Sequence, residues 1–297
     1  MTGQRTRLSA AQRAAWDRDG YLLVAGALSP VEVTQLLHEV DRLHAEAATP
    51  PCDGPPATFN AFNVVERGEA LLAVMDHPRL LGLVADLVGV NVQLLMSQVM
   101  VRAPTPTPAL GWHHDGPKPV PFPHVGAVTP LLNLKVGVFL TDVSEPDTGN
   151  LLVLPGSHLT PPAHLSGPLA HSAAETTEVA ADTPDAVPVL ARPGDAILFH
   201  NALWHAVGPS RAQRSRTVLY YTYGPVWLRL GDRAAPSADL AAQSSPLRQQ
   251  LLGARSRPED HGGMHPGPEG LPLLAIVDDR SYTEVMEAEF RREASRG

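Results

Sequence analysis

LKVGVFLTDVSEPDTGNLLVLPGSH, residues 134–158, sets two apolar runs on either side of an acidic turn. The first run, 134–143, is rich in Val, Leu and Phe, and the second, 151–154, is too short for a helix but suits a buried strand. Between them lie Ser144, Glu145, Pro146, Asp147, Gly149 and Asn150, residue types that build turns. Pro155-Gly156-Ser157 forms a further turn ahead of His158. Two short strands joined by a tight polar connection read as antiparallel β-structure. The same texture continues outward from Asn91 to Tyr223, with strands expected at 92–101, 187–191, 196–199 and 217–223. Short strands separated by Gly, Pro, Asn and Asp fit a barrel or a two-sheet roll.

Upstream the pattern is helical. Ser9 and Gln12 make a capping box for a first helix, and Tyr21–Val24 suits a short strand. Pro30 opens a second helix to about Ala45, with Val33, Leu36, Leu37 and Val40 on one face. A third helical region covers 69–88, broken near His77-Pro78 and closed by Gly89. Residues 49–57 are a Pro-rich connection and 166–184 a polar, Ala-rich excursion. Residues 234–270 are rich in Pro, Gly and Ser with a short helix near 247–252, and 282–292 suits a final helix. One domain is expected over residues 1–297: helical to about 90, a β-roll over about 91–225, and loop-rich from about 226.

The 297 residues are 43% hydrophobic and 18% charged, which supplies ample material for a core. Their apolar runs are too short to cross a bilayer, and residues 1–13 lack the apolar centre of a secretory signal. With 31 acidic against 23 basic residues the net charge is −8, unfavourable for phosphate backbones and anionic lipid. Neither nucleic acid nor membrane is expected as a partner. The lone cysteine, Cys52, excludes an intrachain disulfide and a multi-thiolate zinc site, and it fits a reducing, cytoplasmic setting. Any metal would be held by nitrogen and oxygen.

Of the 13 histidines, most fall in helices or loops where surface or turn roles suffice. His113-His114-Asp115 differs. In an extended segment residues two apart share a face, so His113 and Asp115 converge while His114 points away. An imidazole and a carboxylate so placed form two legs of a facial triad, which a distant histidine completes with coordination positions left open for oxygen chemistry. His200 and His205 both qualify as that third ligand. Arg214 and Arg216 share strand parity, and either guanidinium could grip a carboxylate in bidentate fashion.

These residues resemble the phytanoyl-CoA dioxygenase-like proteins, Fe(II)- and 2-oxoglutarate-dependent oxygenases. Three stretches carry the likeness: Ala14-Ala15-Trp16-Asp17-Arg18-Asp19-Gly20-Tyr21, the segment 134–158, and Pro193-Gly194-Asp195 through Arg216. The resemblance implies a mainly β double-stranded β-helix, jelly-roll or cupin-like, with flanking helices. It makes His113, Asp115 and His205 the iron ligands and Arg216 the anchor of the distal 2-oxoglutarate carboxylate, with O2 as oxidant. Asn133 and Gln98 could also bond 2-oxoglutarate. Val207 and Ser210 depart from the small hydroxyl residue and the Asn that the family commonly carries at those places. Related halogenases have a small residue where Asp115 stands, so the carboxylate favours hydroxylation over halogenation.

The substrate wall is expected from Asn60, Phe62 and Asn63, from Trp112 and His114, from the loop 117–124 and from Trp227. Residues 166–184 and 234–270 could act as lids. The implied substrate is a small molecule of secondary metabolism. Desaturation, epimerisation and ring closure are alternative outcomes of the same chemistry, and a non-catalytic cupin-like binding protein is an alternative of another class.

Overall fold

A computed structural model describes residues 6–47, 58–115, 129–162, 165, 183–255 and 266–278, with 283–285, 287–288 and 291. Four helices lead the chain: α1 (Ala10–Asp19), α2 (Pro30–Ala47), α3 (Glu69–Met75) and α4 (Pro78–Val88). Ser9 and Gln12 close the expected capping box on α1, and Gly20 ends it at φ 79°, a left-handed conformation that costs glycine nothing. Pro78 cannot continue α3 and instead occupies the first turn of α4.

The strands are β1 (Tyr21–Val24), β2 (Phe59–Phe62), β3 (Val92–Arg102), β4 (Leu110–His113), β5 (Leu134–Phe139), β6 (Leu151–Val153), β7 (Val187–Pro188), β8 (Ala196–His200), β9 (His205–Val207) and β10 (Arg216–Pro225). They form a six-stranded sheet, β1-β8-β5-β10-β3-β2, and a four-stranded sheet, β4-β9-β6-β7, with antiparallel pairing throughout. This is the expected two-sheet jelly roll. Beyond β10 come α5 (Ala238–Gln243) and α6 (Pro246–Leu251).

Strand alternation sorts the side chains of the large sheet. Leu134, Val136, Val138, Leu198, Leu219 and Tyr221 join the helices in one buried cluster. Phe139, Ile197, Phe199, Val218 and Tyr220 turn the other way and meet Leu151, Val153 and Val207 of the small sheet. Two tyrosines tie sheet to helix: Tyr221 and Tyr223 of β10 donate to Leu71 O at 2.6 Å and Met75 O at 2.8 Å in α3. A third cluster, Trp112, Leu154, Leu165, Trp204 and Ala206, lies on the other side of the small sheet.

Several boundaries differ from the expectation. β2, β4 and β9 are three or four residues long and carry too little pattern to be read alone. β5 stops at Phe139 because its edge passes to an Asp142–Ser144 turn, and β7 holds only two of five expected residues. α5 lies in the stretch read as irregular, started by its Ser237 cap. Cys52, Gly116 and the loop 117–124 lie outside the described residues, as does nearly all of 166–184.

Candidate metal centre

The Arg192–Asp195 turn aims the segment that carries the distal histidine. Gly194 has φ 93°, and a Cβ there would stand 2.5 Å from Leu28 O, so both backbone and space demand glycine. The turn delivers β8, and after it the chain doubles back as β9, antiparallel to β4. In that ladder His113 lies opposite His205. Between Leu110 and His113 the register shifts by one residue, a bulge that re-aims the end of β4. Asp115 follows, its N–H donating to Asn201 O at 2.9 Å.

The two imidazole centroids are 4.2 Å apart. One ligand atom each from His113, Asp115 and His205 lies within 4.8 Å of the others. Both Nδ1 atoms face backbone carbonyls, His113 on Gly111 O and His205 on Leu203 O, each at 2.9 Å. A carbonyl can only accept, so Nδ1 carries the proton in both rings and Nε2 carries the lone pair. This is how a protein fixes the tautomer of a metal-binding histidine.

Electrostatics agree with that donor set. Burial, then the charge of His113, pushes the His205 imidazole down to about 3, so it is neutral at neutral pH. Burial alone would raise the Asp115 carboxyl, but Lys135, then His205 and His113, hold it well below the usual carboxylate range. One neutral nitrogen pair and one carboxylate oxygen suit a divalent ion of intermediate hardness.

Deeper in the roll, Arg216 is 2% exposed, and its Nε and Nη1 have no hydrogen-bond partner among the described residues. Its Nη2 donates to Tyr220 Oη at 3.0 Å. Arg102 lies opposite it in the β3–β10 ladder, and burial, then the Arg216 charge, lowers the Arg102 pKa. A Cβ on Gly149 would be 3.4 Å from both Arg216 Cδ and Ser210 Cβ, so the two side chains flank this glycine, and the buried Ser210 hydroxyl has no partner among the described residues. Two cations and orphaned donors make a cradle for an anion.

Of the candidates read from sequence, the triad converges. His200 does not: its ring is 5.2 Å from His158, its Nδ1 accepts from Ala202 N–H at 3.0 Å, and it bonds the Thr129 backbone. Asn133 keeps a buried Oδ1 without a partner, while Gln98 donates to Asn60 Oδ1 at 2.8 Å. Asn63 donates its N–H to Asp232 at 3.1 Å, and Phe62 and Trp227 are about half exposed. Trp112 needs correction. Expected in the substrate wall, it is 1% exposed in the cluster outside the small sheet and donates to Thr183 Oγ1 at 2.7 Å. Its parity opposes that of His113. His114 goes with it, edge-on to Trp204 at 5.3 Å. Sequence reasoning missed Lys135, Arg102 and Tyr220. A lone lysine in the apolar run 134–140, on the parity of Gly137 and Phe139, was the available signal.

A family model for phytanoyl-CoA dioxygenase (PhyH) matches residues 16–218. The chain belongs to that family. The phytanoyl-CoA dioxygenase family relatives include an ectoine dioxygenase of Bordetella parapertussis, 31% identical over 160 residues. That match spans 51% of this chain and only 50% of the relative. Among solved structures, HygX from Streptomyces hygroscopicus with nickel and 2-oxoglutarate bound superposes with TM-score 0.63 at 23% identity, covering 79% of this chain and 94% of HygX. SnoK, a non-haem α-ketoglutarate-dependent carbocyclase from nogalamycin biosynthesis, gives TM-score 0.59 at 22% identity, covering 82% and 94%. The likeness to these two is one of fold.

Proposed function

We propose that this chain is an Fe(II)- and 2-oxoglutarate-dependent oxygenase that hydroxylates an unactivated C–H bond of a small molecule, a cytoplasmic enzyme acting as one domain. The observation that carries the reading is the pairing of a triad with oriented lone pairs and a buried arginine whose Nε and Nη1 have no partner among the described residues. His113, Asp115 and His205 would hold the metal. Arg216, with Tyr220 bonded to it, would hold the distal carboxylate of the co-substrate. Bound iron and 2-oxoglutarate would activate O2, the oxidant, as cofactors do for chemistry that side chains cannot perform. The protein's part is to orient the groups and exclude water.

Family membership supports the class of chemistry. The substrate class is drawn from the relatives: an ectoine dioxygenase, and a carbocyclase of nogalamycin biosynthesis similar in fold, support a small secondary metabolite. Because SnoK closes a ring on the same fold, ring closure is the second reading of the reaction. Product mass separates the two: hydroxylation adds one oxygen, and cyclisation removes two hydrogens. The class itself is tested by anaerobic titration of the protein with Fe(II) and 2-oxoglutarate. A visible charge-transfer band of the chelate is expected, and its absence from well-folded protein sinks the proposal.

A further inference from the structure

One cation in this cavity is unused by the reading above. Lys135 occupies the inward face of β5, where its strand neighbours Leu134 and Val136 face the helices. Its side chain is 13% exposed, and Nζ lies 2.6 Å from Asp115 Oδ2. The same oxygen is 3.7 Å from His205 Nε2, so Lys135 sits at the edge of Asp115 nearest the other ligands. Nζ also lies 5.9 Å from the Phe199 ring centroid and 5.6 Å from that of Tyr220. Tyr220 in turn accepts from Arg216. Asp115, Lys135, Tyr220 and Arg216 therefore form one continuous row from the triad to the anion cradle.

A buried ammonium persists only where a partner offsets its desolvation. Asp115 meets that need while no metal competes. A metal bound to Oδ2 would stand about 2 Å from that oxygen, and within about 5 Å of an ammonium held at 2.6 Å from it. Like charges at that range in a buried site repel strongly. A metal on Oδ2 would displace the lysine from that oxygen toward a second anion, and the row Lys135, Tyr220, Arg216 runs to the anion cradle.

We propose that Lys135 is a positioning residue that exchanges partners: it neutralises Asp115 in the metal-free site and the keto-acid carboxylate of the co-substrate in the metal-loaded one. The inference rests on the oxygenase reading. It assigns the two ends of a dicarboxylate to two different cations, Arg216 for the distal end and Lys135 for the end near the metal.

Such an exchange makes a prediction that a merely structural lysine would not. Removing the ammonium removes a competitor of the metal and a partner of the oxoacid, so the two affinities move in opposite directions. The test is calorimetric titration of Co(II), then of 2-oxoglutarate into the Co(II)-loaded protein, for wild type, Lys135→Met and Lys135→Gln. Both variants should bind Co(II) at least as tightly as wild type. They should bind 2-oxoglutarate about 30-fold or more weakly, as expected when one partner of a buried charge pair is lost. Metal and oxoacid affinities falling together, or an unchanged 2-oxoglutarate affinity, would overturn the proposal. If wild type itself takes up Co(II) but not 2-oxoglutarate, the oxygenase reading fails along with it. If wild type binds both and the variants do also, only the lysine assignment fails. Glutamine keeps polarity and most of the length without charge, so folding losses in the methionine variant leave the test intact.

Discussion

Among the described residues two pairs of histidines lie ring against ring, and they look alike until their surroundings are compared. His113 and His205 have ring centroids 4.2 Å apart, and His158 and His200 lie at 5.2 Å. Burial drives one member of each pair, His205 and His200, down to about 3. A depressed imidazole therefore does not mark the site. What differs is the company. The first pair meets the Asp115 carboxylate and opens toward a buried arginine with unpartnered nitrogens. The second pair is packed against Trp16, and the orphaned His158 Nδ1 is walled off by Gly20, where even a Cβ would come within 2.4 Å of it. Polar vacancy beside a converging carboxylate distinguishes a candidate centre from a well-filled interior.

Removing one ring from each pair tests that distinction most severely. His113→Ala should abolish the Fe(II)–2-oxoglutarate charge-transfer band and weaken metal binding by more than the roughly 100-fold that outer-shell changes cost. His200→Gln should leave both intact within a few-fold. If the second substitution also removed the band, the two pairs would not be functionally distinct. Next in size is Arg216→Ala. Truncating one partner of a buried ionic contact costs about 3–5 kcal/mol, so 2-oxoglutarate affinity should fall by roughly two to three and a half orders of magnitude. Metal affinity, measured separately by titration, should barely change.

Acid provides the converse experiment, in which the filled pair responds. In the unfolded chain His200 titrates near about 6.5, whereas in the fold burial, then the His158 charge, holds it down to about 3. The folded state thus keeps the ring neutral, and its stability is whole above the unfolded value. As pH falls from about 6.5 toward the folded value, the unfolded chain takes up the extra proton and stability declines by up to about 1.4 kcal/mol per pH unit. Urea midpoints of the metal-loaded protein across this range should show that slope, and His200→Gln should flatten it. An unaltered slope in the variant would assign the acid sensitivity elsewhere.

The sequence was most legible where a pattern repeats. Capping at Ser9, the face of α2, the break at Pro78 and the long strands β3, β5, β8 and β10 all carry several residues of period or punctuation. The triad was partly legible, because parity pairs His113 with Asp115. Parity left His200 and His205 open; the resemblance chose His205, and in the fold that residue lies opposite His113 across a ladder of three residues. Trp112 was misplaced although its parity argued against the cavity. Trp112 neighbours His113 in sequence, but alternation along β4 turns it to the other face of the small sheet. Lys135 and Tyr220 were missed because each is chemically plain in its own segment, and their meaning comes from strands far apart in sequence.

The smallest effect bears on the least conspicuous vacancy. Ser210 departs from the asparagine that the family resemblance implies at its place, and its buried hydroxyl has no partner among the described residues. Gly149 lies between it and Arg216, close enough that a Cβ would touch both side chains. If the hydroxyl completes the anion cradle, it contributes one hydrogen bond, about 0.5–1.5 kcal/mol net. Ser210→Ala should then lower 2-oxoglutarate affinity by about two- to tenfold, with Co(II) affinity unchanged. Ser210→Asn, which supplies an amide donor at the same place, should recover the loss. Should alanine bind 2-oxoglutarate as well as serine does, an empty polar atom beside Arg216 would be no better a guide to ligand contact than the walled-off nitrogen of His158. The cradle would then rest on its two arginines and Tyr220.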